Sequence, residues 1–173
     1  VDTRRIEREK AVPPEVIRGL AELGAFGMTI PEAYGGYGFS SSAYCRVTEE
    51  IGRTDASLGI LIGGHQSIGL KGLILFGTEE QKKKWLPRLA TGEMIAAFAL
   101  TEPGAGSDAA AIQATAAYDA ATDTFVLNGS KHWISNGGFA EFFTVFAKDV
   151  ALEAKDEHRR ITAFVVTKDL GGV

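Results

Sequence analysis

The sequence predicts an α+β fold, in which an all-α helical domain over residues 1–93 precedes an antiparallel β-barrel or sandwich domain over residues 94–173. The first observation is a change of hydrophobic period near Gly92, from helical spacing to the alternation of strands. The second is that the later strands are short and are separated by glycine, asparagine and aspartate, as in barrels and sandwiches. No Gly-X-Gly-X-X-Gly motif occurs, which argues against a dinucleotide-binding doubly wound sheet.

Three helices of the first part are predicted from their end signals. One begins at the proline pair that ends with Pro14 and stops before Gly24. The next follows a glycine loop and takes serines 40–42 as candidate N-caps, and the third opens with a capping box of Thr78 and Gln81. Their predicted apolar faces are Val16, Ile17, Leu20 and Leu23; Ala43, Tyr44, Val47 and Ile51; and Trp85, Leu86 and Leu89.

Residues 58–76 are almost continuously apolar and about as long as a membrane-spanning helix. His65, Gln66 and Lys71 would lie near the bilayer centre at a cost of several kcal/mol, and five glycines make a poor isolated helix. We therefore expect no transmembrane segment but a helix of a soluble protein, with His65 buried in it. Its small residues either permit close packing or leave room for a long apolar ligand.

The second part carries six short segments that alternate or are apolar throughout. After them the chain ends directly behind a strand pattern, and it begins without an initiator methionine, so we expect the β domain to be truncated at its C-terminal end. Residues 149–160, which include His158, are predicted to form an exposed polar excursion. The candidate strands are residues 94–100, 111–118, 124–128, 131–135, 142–148 and 161–166.

Composition is that of a soluble globular protein, since 45% hydrophobic residues supply a core. The net charge of -4 and the lack of a basic stripe argue against a nucleic-acid partner. The single cysteine, Cys45, excludes an intrachain disulfide, and no Cys/His spacing indicates a metal site. We expect Cys45 to be buried and the protein to reside in a reducing compartment.

Residues 98–108 read Phe-Ala-Leu-Thr-Glu-Pro-Gly-Ala-Gly-Ser-Asp, an apolar strand that breaks into a polar glycine-rich loop. The loop presents Thr101, Ser107 and Asp108 together, and glycines such as Gly106 let the backbone approach a ligand closely. Taken alone, a Thr-Glu-Pro-Gly turn is also an ordinary way to leave a strand.

Residues 128–138 read Asn-Gly-Ser-Lys-His-Trp-Ile-Ser-Asn-Gly-Gly, and alternation in a strand would place Trp133 and Ser135 on one face. The two motifs at this distance resemble the acyl-CoA dehydrogenases, which are flavin enzymes. The resemblance covers nearly the whole chain and includes residues 77–81, 86–87 and 92–93. Residues 65–77 resemble the members that oxidise very long acyl chains.

The resemblance implies an FAD cofactor and assigns roles to residues of both motifs. Thr101 would contact the flavin, Ser135 would donate toward its N5 region, and Trp133 would pack on its ring, although Trp133 could also be a core residue. Ser107 would lie near the pantetheine arm of the substrate or merely cap a turn. The residues implied are Phe98, Ala99, Leu100, Thr101, Trp133, Ile134 and Ser135 for the cofactor, and Gly106 and Ser107 for the substrate.

No catalytic base is expected in this chain. Glu102 and Asp108 are candidates by residue type, but loop carboxylates beside backbone amides usually cap turns. In the family the base is a glutamate of a later helical domain, and no position of this chain matches it. The isolated chain is therefore predicted to be inactive.

For the parent protein, the resemblance implies oxidation of fatty acyl-CoA to trans-2-enoyl-CoA, by removal of an α proton and transfer of a β hydride to the flavin. It further implies electron-transfer flavoprotein as electron acceptor and a homo-oligomer. The location would be the cytoplasm of a bacterium, or the mitochondrial matrix or inner-membrane face of a eukaryote.

Two other functions are compatible with parts of the sequence. Truncation could leave a noncatalytic module that binds flavin or acyl-CoA. A hydrolase would use Ser107, Asp108 and His132 as a nucleophilic set, but no Gly-X-Ser-X-Gly elbow occurs, and alternation would place His132 opposite Trp133.

Overall fold

A computed structural model describes residues 1–152 and 160–172 of the chain. Over these residues, α-helices come first and a five-stranded sheet follows, which confirms the α+β class. The helices are α1 (Thr3–Glu9), α2 (Pro14–Glu22), α3 (Ser41–Thr54), α4 (Ala56–Gly63), α5 (Lys71–Phe76) and α6 (Glu79–Ala90), with a π-helical segment, Gly64–Gly69, between α4 and α5. The strands are β1 (Ala96–Ala99), β2 (Thr115–Asp119), β3 (Thr124–Asn128), β4 (Phe142–Asp149) and β5 (Ile161–Thr167).

The sheet is open and mixed, which corrects the expectation of an antiparallel barrel or sandwich. Strand β4 pairs in parallel with β1, where Ala96 lies opposite Phe142, and in parallel with β2, where Thr115 lies opposite Lys148. It also pairs with β5, and β2 pairs with β3, both antiparallel. Side-chain alternation has a period of two in both kinds of sheet, so the sequence pattern could not distinguish them.

The predicted helix ends are largely confirmed. Helix α2 begins at Pro14, and Gly24 follows it in a left-handed conformation with φ of +74°. The Ser40 side chain accepts a hydrogen bond from the third backbone N–H of α3, at 3.3 Å. At the start of α6, Thr78 and Gln81 make both bonds of the capping box, at 2.9 and 3.2 Å.

Some predicted core positions are wrong. Leu23 follows the last residue of α2 and is 80% exposed, and Val47 is exposed on α3. Cys45, expected to be buried, is exposed on the same helix. Helix α1 was not predicted, although Asp2 accepts a hydrogen bond from the Arg5 N–H at its start. It has one buried residue, so its hydrophobic pattern is weak.

The apolar stretch forms one 21-residue helical run, Ala56–Phe76. By length and composition alone this run could cross a membrane, but half of its most apolar window is buried inside the fold, as in a core helix of a soluble protein. Leu58, Leu61 and Ile62 pack in a cluster with the N-terminal helices, while Leu70 and Leu73 pack against α6 and the sheet.

Buried polar groups join this run to the sheet. His65 is fully buried, as predicted: its Nδ1 accepts from the Ala96 N–H at 2.9 Å, and its Nε2 lies 3.1 Å from the Leu89 carbonyl. The Thr144 hydroxyl of β4 donates to the Gly69 carbonyl at 2.6 Å. The helical layer is therefore fixed on β1 and β4 by hydrogen bonds as well as by apolar contact.

The predicted strands agree with the structure except at two places. Residues 109–111 form a short 3₁₀ turn, so β2 starts only at Thr115. Residues 131–135 are not a strand. Of the predicted excursion over residues 149–160, residues 153–159 with His158 lie outside the described residues, and Ala151 and Leu152 beside them are exposed.

Candidate functional site

The chain leaves β1 through a tight turn within residues 100–108, here called the Thr101 turn. Glu102 and Ala105 bond each other in both directions through their backbone N–H and C=O groups, at 2.9 and 3.1 Å. Gly106 is exposed, and apart from its two chain neighbours no group of the described residues lies within 4 Å of the place where a Cβ would be. The glycine part of the turn is therefore open to an approaching ligand.

The Glu102 side chain is buried and ties three segments together. Its Oε2 accepts from the Gln113 N–H at 2.6 Å, and its Oε1 accepts from the Ala114 N–H at 3.0 Å and from Lys131 Nζ at 2.7 Å. Burial raises the pKa of Glu102, but the Lys131 ammonium and the two backbone donors outweigh burial, so the pKa is lowered. Three donors therefore hold the Glu102 carboxylate in one place and keep it ionised.

Residues 132–139, here called the Trp133 loop, replace the predicted strand. Trp133 and Asn136 have φ of +56° and +66°, which breaks the alternation of a strand. As a result His132 and Trp133 do not face opposite ways: their rings stack at 4.3 Å with an interplanar angle of 24°. The Trp133 side chain is 82% exposed, so it is not a core residue of this chain.

The Trp133 loop is anchored to the helical layer by Asn136. Its side-chain amide donates to the Leu61 carbonyl at 3.0 Å and to the Ala96 carbonyl at 3.2 Å. Gly64 lies directly below, where a Cβ would be 3.1 Å from the Asn136 amide nitrogen and 3.4 Å from the Ser135 Cβ. The absence of a side chain at Gly64 therefore lets the loop lie close to the helix.

The structure brings the two motifs together. The His132 N–H donates to the Thr101 carbonyl at 2.8 Å, and Ile134 packs on the cluster that contains Ala97. Phe98 contacts Phe146, with ring centroids 4.9 Å apart. The cofactor residues expected from the sequence, Phe98, Ala99, Leu100, Thr101, Trp133, Ile134 and Ser135, thus lie on one edge of the sheet and the loop beside it.

Two of these residues keep polar groups available. Within the described part of the chain, neither the backbone N–H nor the hydroxyl of Thr101 makes a hydrogen bond, and the Ser135 hydroxyl makes none. Thr101 is half-buried and Ser135 is exposed. Donors held beside an exposed indole suit a flat, polar-edged ring, so these residues fit a flavin.

Ser107 and Asp108 are exposed at the far end of the Thr101 turn. The Asp108 side chain does not cap the short helix that follows it, which differs from its expected role. Among the described residues, no hydrogen bond joins Ser107, Asp108 and His132. The nucleophilic set of a hydrolase is therefore not assembled.

An open groove of about 740 Å³ borders the Trp133 loop. Ser135, Asn136 and Phe139 form one wall, and the start of α4 with α1 forms the other. Its apolar lining includes Ile6, Val12, Ile60, Leu61 and Phe139. This size is within the range of small-molecule sites.

Sequence reasoning missed the residues that hold the site in place. Lys131 lies inside the second motif, where the sequence alone assigns it no role, and the sequence around Asn136 indicates only a glycine turn. The sequence holds no local signal for Lys131, because its contact with Glu102 spans 29 residues of the chain.

Comparison with known proteins identifies the family. Residues 2–93 match the model described as acyl-CoA dehydrogenase, N-terminal domain, and residues 97–173 match the one described as acyl-CoA dehydrogenase, middle domain. The chain belongs to the acyl-CoA dehydrogenase family. This confirms the resemblance that the two motifs indicated.

Individual acyl-CoA dehydrogenases agree in sequence and in structure. The mitochondrial very long-chain specific acyl-CoA dehydrogenase of Bos taurus is 50% identical over 99% of this chain and 27% of its own length. A crystal structure of an acyl-CoA dehydrogenase complexed with FAD from Bacillus anthracis is 43% identical, with a TM-score of 0.82 over 92% of this chain and 26% of that one. Butyryl-CoA dehydrogenase of Megasphaera elsdenii gives a TM-score of 0.88 at 35% identity, over 99% of this chain and 44% of that one. The chain therefore spans between about a quarter and about half of the length of these relatives.

Proposed function

We propose that this chain is the N-terminal part of an FAD-dependent acyl-CoA dehydrogenase that oxidises fatty acyl-CoA to trans-2-enoyl-CoA. The observation that carries the proposal is the joining of the Thr101 turn to the Trp133 loop, through the bond from the His132 N–H to the Thr101 carbonyl at 2.8 Å. Through this bond, the residue that precedes Trp133 in the chain contacts Thr101, whose N–H and hydroxyl make no hydrogen bond within the described residues. The division into residues 1–93 and 94–173 is part of the proposal.

On this proposal, Thr101 and Ser135 hold the polar atoms of the flavin and Trp133 covers its ring. When bound, FAD would supply the acceptor for the hydride that leaves the β carbon of the acyl group. The N–H and hydroxyl of Thr101 and the hydroxyl of Ser135 would donate hydrogen bonds that stabilise negative charge on the ring. The Trp133 indole excludes water from that ring.

Substrate binding is assigned to the open end of the Thr101 turn, where Gly106 and Ser107 would meet the pantetheine arm. The groove beside Ser135 has room for an apolar chain. The α proton needs a base, and Glu102 is unsuited because three donors, one of them cationic, hold it ionised. We propose that the base lies outside this chain and that the chain alone is inactive.

The finer features of the parent protein follow from its relatives. The likeness to very long-chain enzymes supports a substrate with a long acyl group. A protein that carries this chain together with the base should then show a higher kcat/KM on long-chain than on short-chain acyl-CoA. Electron-transfer flavoprotein is the proposed electron acceptor and a homo-oligomer the proposed assembly. The proposed location is the bacterial cytoplasm, or in a eukaryote the mitochondrial matrix or inner-membrane face.

The test is retention of FAD by the purified protein through gel filtration, followed by titration of flavin fluorescence. We predict binding that Trp133→Ala weakens about tenfold, since loss of a stacked aromatic surface costs about 1–3 kcal/mol. Phe76→Ala is the matched control, because Phe76 is also exposed, at 86%, but lies at the end of α5. In a protein that carries this chain together with the rest of the enzyme, absence of FAD binding, or equal weakening by both variants, would contradict the proposal.

A further inference from the structure

The ion pair between Lys131 and Glu102 differs from the other ion pairs of the described residues. Its two side chains are 13% and 6% exposed, whereas each of the others has at least one partner that is 40% exposed or more. Exposed pairs contribute little to stability, and a buried pair replaced by apolar groups often costs nothing. The burial of this pair therefore calls for a role other than stability.

Lys131 also fixes the orientation of one peptide group. Its ammonium donates to the Leu100 carbonyl at 3.1 Å as well as to Glu102. The described chain has no cis peptide bond, and in a trans peptide the C=O and the following N–H point in opposite directions. Since the Leu100 carbonyl points at Lys131, the Thr101 N–H points away from it.

The next peptide is fixed from the same side. The Thr101 carbonyl accepts from the His132 N–H at 2.8 Å, one residue beyond Lys131. Thr101 is thus held through both neighbouring carbonyls, while its own N–H makes no hydrogen bond within the described residues. Thr101 is half-buried, and its N–H is left free although the carbonyls on both sides of it are bonded, so this N–H is available to a ligand.

Glu102 in turn holds Lys131. The carboxylate is fixed by the Gln113 and Ala114 N–H groups at the entry to β2, so the ammonium has one defined place between Glu102 and Leu100. Without Glu102 the buried ammonium would lose its counterion, which is strongly unfavourable. The two residues therefore act as one unit.

We propose that Lys131, held by Glu102, is a positioning residue for Thr101: it turns the Leu100–Thr101 peptide so that the Thr101 N–H is presented to the flavin ring. The inference rests on the proposed function, because it requires a flavin beside Thr101. The donor matters most for the reduced ring, which carries more negative charge than the oxidised ring.

The test compares Lys131→Met with the double variant Glu102→Gln/Lys131→Met in three measurements on the FAD-loaded protein: the Kd of FAD, the flavin reduction potential, and urea unfolding. Lys131→Met is expected to raise the Kd for oxidised FAD about tenfold. If the affinity for reduced FAD falls tenfold more than the affinity for oxidised FAD, the two-electron reduction potential of the flavin falls by about 30 mV, and this is the expected shift. It also destabilises the fold, because Glu102 is left buried without a counterion.

The double variant separates positioning from stability. With both charges removed, only part of the lost stability is expected to return, because glutamine offers one acceptor oxygen to the two backbone N–H groups that the carboxylate holds. The Kd and the potential are expected to stay shifted in full, because the Leu100 carbonyl still lacks its donor. Lys131→Arg, which keeps a donor and a charge, is expected to restore part of both flavin properties. Lys83→Met, at an exposed lysine of α6, should change none of the three.

Two results overturn the inference without touching the proposed function. One is a double variant whose Kd and potential recover together with stability, since the pair would then be only structural. The other is a Lys131→Met protein that binds FAD as tightly as the wild type at an unchanged potential. If the wild-type protein binds no FAD, the proposed function fails, and this inference fails with it.

Discussion

His65 lies where the helices meet the sheet, and its protonation state follows from its two bonds. Because Nδ1 accepts from the Ala96 N–H, the ring proton is on Nε2, which donates to the Leu89 carbonyl. Burial lowers the pKa of His65 from 6.5 to about 4, against a smaller opposite effect of its backbone bonds. At neutral pH the ring is therefore uncharged, and a proton on Nδ1 would break the bond to Ala96.

We predict that the fold loses stability in mild acid and that the protonation of His65 is the cause. The unfolded chain takes up the proton near pH 6.5 and the folded chain only near pH 4, so stability is complete above pH 6.5 and falls as the pH drops to about 4. The total loss is about 3 kcal/mol, with a slope near 1.4 kcal/mol per pH unit around pH 5. Urea unfolding at a series of pH values measures it, with His65→Gln as the comparison because glutamine does not titrate. The same slope between pH 6.5 and 5 in both proteins would exclude His65 as the cause.

Single residues also show how far the sequence could define the site. Trp133 was assigned to the flavin from its motif, and its exposed ring is compatible with that role, which stays a prediction. Its conformation could not be predicted, because a positive φ at a tryptophan is imposed by the contacts around it and has no local signal. The anchoring roles of Lys131 and Asn136 could not be predicted for the same reason, because their hydrogen-bond partners lie 29 to 75 residues away in the chain.

Among the elements, the helical run from α4 through the π-helical segment to α5 is rich in glycine, and the structure shows why glycine occurs at two of these positions. The sequence left two uses open, close packing or space for a ligand. At Gly69 the reason for glycine is close packing, since a Cβ would lie 2.5 Å from the Gly64 carbonyl oxygen and 2.9 Å from the Ala96 Cβ. Gly72, one turn further on, has only Thr144 Cγ2 at 3.7 Å. Within one helical run the two glycines thus have different reasons to be there.

We predict opposite effects of alanine at these two positions. Gly69→Ala should destabilise by about 1–3 kcal/mol, because backbone and β1 must move apart to admit a methyl group. Gly72→Ala should be neutral or should stabilise by up to about 1 kcal/mol, since alanine favours a helix and the methyl has room. Urea unfolding of both variants gives the comparison. Equal destabilisation by both variants would mean that the close contact of Gly69 with Ala96 is not the reason why a larger residue is unfavourable there.

At the scale of the whole molecule, the sequence predicts the division into a helical part and a stranded part better than it predicts how the strands pair in the sheet. The helical first part followed the periodicity and cap signals of α2, α3 and α6, which are local, and the order of strands along the chain was nearly right. The mixed sheet was not predictable in this way, because the central place of β4 depends on pairings with β1, β2 and β5 that alternation does not encode. The family motifs indicated function by resemblance, and they say nothing about strand order.

The contacts between the two layers lead to a last prediction, that helices and sheet unfold together. Hydrogen bonds join His65 to Ala96, Thr144 to Gly69 and Asn136 to Leu61 across the two layers. The ring centroids of Trp85 in α6 and Phe142 in β4 lie 6.1 Å apart. In a Trp133→Phe variant, Trp85 is the only tryptophan and its fluorescence reports on this contact. Urea unfolding followed by that fluorescence and by far-ultraviolet circular dichroism should give one coincident transition. Loss of the Trp85 signal before the helical signal would mean that the helical layer is stable without the sheet, and that the bonds between the layers do not couple them.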